Sequence, residues 1–245
     1  RRPPRSTLVP YTTLFRSAEG GNAGVVNFSD ARILFFPVYS QNGPVWVTSP
    51  LTLADFNVQV SLQDEHKAKW SAATHKENLL KLGWLMLEKE ADLDLQTELI
   101  PRFTRQPQKI VLVSEKLFSQ IVNSNLEVRT SVSINPNTGA AEEGALFTYE
   151  ALPRATILWC DVIEDDYRKL YSDSSDVSIW PIMQTYNRTS RKDNDGEFLG
   201  GIEPISWNAP LDVAVTGLKM MELLGVGGMG TRGFGRMRLL EVPDA

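Results

Sequence analysis

The sequence predicts an α+β fold. Segments of alternating or branched-aromatic character read as strands, apolar-periodic segments read as helices, and turn residues cluster between them. At 245 residues the chain can bury one large core or two small ones. No run reaches the roughly 18–20 apolar residues of a membrane span, so no membrane partner is expected. The arginine-rich start RRPPRSTLVPYTTLFRS is broken by prolines before any signal-peptide core forms. Cys160 is the sole cysteine, which predicts a reducing, cytoplasmic setting. His66 and His75 with that one cysteine are too few for a zinc cluster. A net charge of −5 excludes a uniformly basic nucleic-acid coat but leaves a local basic site open.

Residues 1–20 show neither helical nor strand period and read as a non-native or disordered tail. The domain proper is expected over 21–245. ARILFFPVYS (31–40) and PVWVTS (44–49) predict two strands joined by a QNG turn. Ser49–Thr52 opens a short amphipathic stretch. Asn78–Ala91 carries six leucines and methionines at mixed spacing and predicts a buried helix. Lys109–Val113 predicts a strand and Glu115–Val122 a helix. In VRTSVSI, Val128, Thr130, Val132 and Ile134 share one face, a clear strand alternation. ALFTYEAL (145–152) and ATILWCDVI (155–163) predict two more strands. The link Asn135–Gly144 exceeds a tight hairpin turn and is expected to project as a mobile arm. Asp165–Glu203 reads as polar loop. Pro210 starts a helix over Leu211–Leu224, with Leu211, Val215, Leu218, Met221 and Leu224 toward the core. RMRLLEV predicts a last strand.

Between that helix and strand lies GVGGMGTRGFGR, Gly225–Arg236, with six glycines, Arg232, Arg236 and no acid. Gly225, Gly227 and Gly230 satisfy G-x-G-x-x-G. The dinucleotide fingerprint, however, runs strand–loop–helix, so that pyrophosphate meets a helix N-terminus, and here the order is reversed. A dinucleotide-binding oxidoreductase is thus a remote alternative. RGFG also matches half of an RNA-recognition signature, but its next stacking aromatic is replaced by Arg236. A glycine C-cap with a bulged turn would need one or two glycines. Six, beside Thr231 and two arginines, point to backbone amides opened toward an extended anion such as a phosphodiester chain. The candidate contacts are Gly227, Gly228, Thr231, Arg232, Gly233, Gly235 and Arg236.

GGMGTRGFGR resembles the glycine-rich loop of the RAMP superfamily of CRISPR RNA-binding proteins. FSDARILFFPVYSQNGPVWVTSPLTLADF (28–56) and RTSVSINPNTGAAEEGALFTYEALPR (129–154) resemble the repeated backbone subunit of type III-B (Cmr) effector complexes. The resemblance implies a ferredoxin-like, RNA-recognition-like core with an inserted β-hairpin thumb, about 128–152. It implies a guide-RNA-binding subunit in antiviral defence, with guide RNA, target RNA, copies of itself and other Cmr-type subunits as partners. In that family the subunit also cleaves target RNA, through an aspartate on an N-terminal loop and a divalent metal, Mg or Mn. The segment bearing that aspartate has no counterpart here, so the chain is expected to lack it. No catalytic or metal-binding residue is assigned, no cofactor is expected for the chain as given, and Asp30 is not promoted to the role. The alternative is a metal-dependent endoribonuclease in the intact protein.

Three further groups carry two readings each. Arg129, Phe147 and Tyr149 lie beside the thumb, where the aromatics would stack on bases or join the core. Asp161, Glu164, Asp165 and Asp166 read as a solvated strand end rather than a cation site, since no glycine turn folds the carboxylates inward. His66 and His75 sit in a polar stretch and read as surface histidines rather than as a base for RNA cleavage.

Overall fold

The computed structural model describes residues 24–55, 58–93, 95, 109–142, 144, 146–165, 182–183 and 206–240. The chain divides into two compact units: Asp30–Cys160 with Leu239–Pro243, and Arg1–Ser29 with Asp161–Arg238 and Asp244–Ala245.

The Asp30–Cys160 unit is built on one sheet. β2 (Arg32–Ser40) and β3 (Gly43–Thr48) form the antiparallel hairpin read from the sequence, with Phe36 opposite Val47 and Ser40 opposite Gly43. They follow β1 (Val26–Phe28), which belongs to the other unit. β7 (Ile110–Leu112) runs parallel to β3, and β4 (Lys67–Trp70) antiparallel to β7. β6 (Leu85–Ala91) runs parallel to β4, and β5 (Leu79–Leu82) antiparallel to β6. β5 then returns to β2 through the Ser40–Leu82 pair and a Gln41 N–H to Lys81 carbonyl bond of 3.3 Å. The six strands thereby close into a ring. β10 (Ile157–Trp159) pairs with the first half of β2, on the same edge that β5 meets at its end.

Alternation along these strands sends neighbouring side chains to two cores. Val111 and Val113 join Phe36, Val45, Val47, Trp70, Leu80 and Leu82, capped by Ile121 of α2 (Glu115–Ser124). Leu112 instead meets Leu34, Phe35 and Leu53 of α1 (Pro50–Asp55). Ser114 starts α2: its Oγ accepts from the Leu117 N–H at 3.4 Å and donates to the Glu65 carbonyl at 2.8 Å. Glu115 sits in the first turn, where the helix dipole favours a negative charge, and accepts from the Leu51 N–H at 3.0 Å.

The Asn78–Ala91 helix does not form. The segment is the β5–β6 hairpin, with Leu80, Leu82 and Leu87 buried and Leu79, Lys81 and Met86 exposed, a period of two. The turn is Gly83–Trp84, with Gly83 at φ 55°, the positive φ that a two-residue hairpin requires. Lys81 between two inward leucines carried the strand signal, and the density of leucines masked it.

In the other unit, β1 pairs antiparallel with β11 (Val162–Glu164), and both contact α3 (Pro210–Leu224). The expected single strand over 155–163 is therefore two strands, interrupted at Cys160–Asp161 and paired in different sheets. Pro210 stands in the first turn of α3, and Asp212 Oδ2 accepts the Asn208 and Ala209 N–H groups at 2.7 and 3.1 Å. Leu211, Val215, Leu218 and Met221 are half-buried as read from the sequence, but Leu224 is exposed at the helix end. RMRLLEV does not form a strand in its described part, Arg236–Leu240. The polar 165–203 segment lies largely outside the described residues. Its Ile182–Met183 forms β12, paired with β13 (Ser206–Trp207).

Glu90 on β6 ties the Gln63–Asp64 turn to the barrel. Its carboxylate accepts both N–H groups, Gln63 at 3.0 Å and Asp64 at 2.9 Å, and pairs with Lys69 Nζ at 3.1 Å. The Asp64 backbone bond, followed by the Lys69 and Gln63 bonds, holds its pKa below the ordinary 4.5 against the opposing effect of burial. A depressed carboxylate contributes stability that is full above the unfolded pKa and lost as pH falls through the folded one. Glu90→Gln should therefore be less stable at pH 7 by about 1–2 kcal/mol. The gap to the parent chain should shrink below pH 4.5, as measured by urea melts across pH.

Candidate nucleic-acid interface

The first candidate surface is the hairpin of β8 (Glu127–Ser131) and β9 (Phe147–Ala151), in the Asp30–Cys160 unit. Its register pairs Arg129 with Tyr149 and Ser131 with Phe147, so Arg129, Phe147 and Tyr149 share one face. The two rings meet edge to face at 5.6 Å. Arg129 points its guanidinium at Glu127 Oε2, with Nη2 at 2.7 Å and Nε at 3.1 Å. That bond, with help from Arg154, depresses the Glu127 pKa despite desolvation. Arg129 is thus a braced cation at the hairpin base.

The opposite face carries the apolar alternation seen in the sequence, and it is the more exposed one. Val128, Val132 and Ile134 are 65%, 40% and 61% exposed. Alternation here specified a strand but not which face the core would take.

The link beyond the hairpin is folded rather than an open arm. Ile134 bridges Ala141, and the Glu142 N–H donates to the Ser133 carbonyl at 3.0 Å. At the tip, Asn135 Oδ1 accepts from the Asn137 N–H and its carbonyl accepts from the Gly139 N–H, each at 2.9 Å. Gly139 takes φ 67°, which closes that turn. Ala155 after β9 also has positive φ, 67°, and its carbonyl accepts from Trp46 Nε1 at 3.0 Å, fastening the hairpin's exit to β3.

The second surface is the glycine loop, in the other unit, and its glycines divide into two kinds. Gly225 and Gly235 form a neck: the Val226 N–H donates to the Gly235 carbonyl at 2.9 Å. A Cβ on Gly235 would stand 1.8 Å from the Val226 carbonyl oxygen, and one on Gly225 would stand 3.1 Å from the Gly235 oxygen. Gly227, Gly228, Gly230 and Gly233 face open space, and a Cβ on any of them would meet nothing within 4 Å. Gly227 and Gly233 also take positive φ, 83° and 84°. A 3-10 turn over Gly230–Arg232 shapes the tip. The Gly227 and Gly228 amides donate to no group among the described residues. Gly227, Gly228, Thr231, Arg232, Gly233, Gly235 and Arg236 are all exposed. Arg236 Nη1 also reaches the Leu223 carbonyl at 3.4 Å, a basic cap on the C-terminus of α3.

The remaining candidates separate. His66 is exposed, but His75 is buried, which corrects its reading as a surface histidine. Its ring nitrogens lie against the Gln41 amide at 2.9 Å and the Asn42 amide, and its carbonyl accepts from Trp70 Nε1 at 3.2 Å. It braces the β2–β3 turn. Asp161 and Asp165 are exposed, while Asp166 lies outside the described residues. Among the described residues no three His, Cys, Asp or Glu side chains gather closely enough to hold a metal ion.

One unit carries a basic, glycine-opened loop after a helix and the other a long hairpin beside a closed sheet, a mixed α+β architecture. The chain belongs to the RAMP superfamily, whose model matches residues 10–238. Over 159 residues it is 28% identical to the CRISPR system Cmr endoribonuclease Cmr4 of Pyrococcus furiosus, covering 56% of this chain and 54% of that protein. The chain thus spans about half the length of this curated relative. Its fold is similar to a chain of the type III-B Cmr-beta bound to cognate target RNA, solved by cryo-EM. That match has a TM-score of 0.50 and 15% identity, over 83% of this chain and 76% of the other.

The two kinds of glycine should respond differently to a methyl group. Gly235→Ala forces both positive φ and a backbone collision, and should cost at least about 1–3 kcal/mol in the unit that holds it. Gly228→Ala should stay within about 0.5 kcal/mol. Denaturant melts of the two variants compare them directly.

Proposed function

We propose that this chain is a CRISPR guide-RNA-binding backbone subunit of a type III-B interference complex, acting in defence against foreign RNA. The observation that carries the reading is the 159-residue relationship to a Cmr subunit. Membership of the RAMP superfamily supports it. The glycine loop supplies the chemistry. Free amides at Gly227 and Gly228 and the cations of Arg232 and Arg236 suit phosphate oxygens along an extended strand. The hairpin over 128–152 is assigned as the thumb of a ferredoxin-like core. Its exposed apolar face would insert between bases, since Glu142 near the tip repels phosphate. Guide RNA, target RNA, further copies of the chain and other Cmr-type subunits are the partners this reading implies, in the cytoplasm.

The second reading, a metal-dependent endoribonuclease, is favoured by the relative's own activity. That activity would use Mg or Mn. Among the described residues no set of carboxylates fits such an ion. The chain as given is expected to bind RNA without cutting it.

Binding through phosphates releases counterions, about 0.7 per phosphate in the slope of log affinity against log salt for single strands. Replacing Arg232 and Arg236 together by alanine should flatten that slope by about 1–1.5 and weaken all RNA sequences alike. Fluorescence anisotropy across a salt series reads both effects. Unchanged affinity and slope in the double variant would remove the loop from the interface.

A further inference from the structure

The β5–β6 hairpin leaves an aromatic surface that neither core nor loop explains. Trp84 at its turn is 66% exposed, and Tyr39 on the adjoining strand is 73% exposed. They are joined through the backbone, since the Gly83 N–H donates to the Tyr39 carbonyl at 3.1 Å. Gly83 lies across the seam from Tyr39 and carries no side chain to cover its ring. Met86 and Leu79, 61% and 51% exposed, lie on the outer face of the same hairpin, with Lys81 paired opposite Met86.

The charge around this patch favours an anionic partner with flat apolar groups. The Lys81 ammonium is exposed and makes no ion pair among the described residues. Glu88 on the same face is opposite Leu79 and pairs with Lys67 Nζ at 3.3 Å, and Glu77, ahead of the strand, lies 3.8 Å from His75 Nε2. Two exposed aromatic rings, with a lysine on the same hairpin that makes no ion pair among the described residues, match what unpaired nucleotides offer: a π-face for each ring and a phosphate for the cation. An aliphatic protein partner would have no use for the unpaired lysine, and desolvating it would oppose binding.

We infer that Trp84 and Tyr39, with Lys81, form a stacking platform for single-stranded RNA on the outside of the barrel. The site is distinct from the glycine loop in the other unit, and it rests on the RNA-binding reading proposed above. Stacking is sequence-tolerant, because every base has a π-face, so the platform would hold any unpaired segment.

The test uses the full chain and a fluorescein-labelled, unstructured polyuridine RNA, read by anisotropy. Trp84→Ala and Tyr39→Ala should each weaken binding about 5- to 100-fold, the range of alanine substitutions at stacked bases, with little change in salt slope. Trp84→Phe should recover most of the loss, and Trp84→Leu should not. Both side chains are exposed, so melting temperatures should match the parent and a folding defect is separable. Binding lost on changing Arg232 and Arg236 but untouched by Trp84→Ala and Tyr39→Ala would overturn the platform and leave the functional reading standing. No RNA binding by the parent chain would overturn both. Sedimentation velocity adds a last arm: an oligomer dispersed by Trp84→Ala, with RNA affinity intact, would assign the patch to contact between copies and overturn the inference.

Discussion

The pairing of Ser40 with Leu82 closes a sheet that would otherwise present an open edge at β5. Both residues are buried, and Ser40 Oγ both donates and accepts there. It donates to the Gly43 carbonyl at 2.6 Å and accepts from the Asn42 N–H at 3.2 Å. One side chain therefore fixes the β2–β3 turn and the strand end that β5 meets. His75 supports that turn from beneath through Gln41 and Asn42. Closure has a consequence downstream. It sets the Gly83 turn beside the C-cap of α2, where a Cβ on Gly83 would lie 3.8 Å from Asn125 Oδ1. The long hairpin of β8 and β9 begins two residues after that cap. The Gly83 turn at the seam thus lies next to the point where the hairpin begins.

Much of this was legible in the sequence, and the misses share a cause. The β2–β3 hairpin and α3 were marked by local signals, the QNG turn and Pro210 opening a periodic run, and α2 was read over Glu115–Val122. Such signals act within a few residues and survive folding. The β5–β6 hairpin was missed because its leucines serve a closed barrel, where both strands supply inward positions and the turn between them rests on a single glycine. Leucine density suggests a helix when the closing partner is far away in sequence, and here it is Ser40. The 155–163 strand was read as continuous because sequence alone does not show that two units divide it at Cys160. His75 was read as exposed for the same reason. Its polar neighbours in sequence are not its neighbours in space.

The glycine loop shows how far composition alone can go. Six glycines and two arginines identified the segment, but did not say which glycines were structural. Geometry separates them: Gly235 permits a backbone neck that no Cβ could enter, Gly225 faces it at a tight 3.1 Å with positive φ, and Gly227 and Gly228 leave amides without an acceptor among the described residues. Likewise Arg236 has a role inside the fold, at the end of α3, alongside any outside it. The neck bond between Val226 and Gly235 closes the loop at its base, and the 3-10 turn over Gly230–Arg232 orders part of its tip.

The proposed path of RNA along this loop is open to direct test. Photo-cross-linking of the full chain to 4-thiouridine-substituted RNA, with the attached peptides mapped by mass spectrometry, reads it residue by residue. Cross-links are expected within Gly225–Arg238, suppressed by excess unlabelled RNA. Cross-links confined to other parts of the chain, with that segment unmodified, would refute the proposed path.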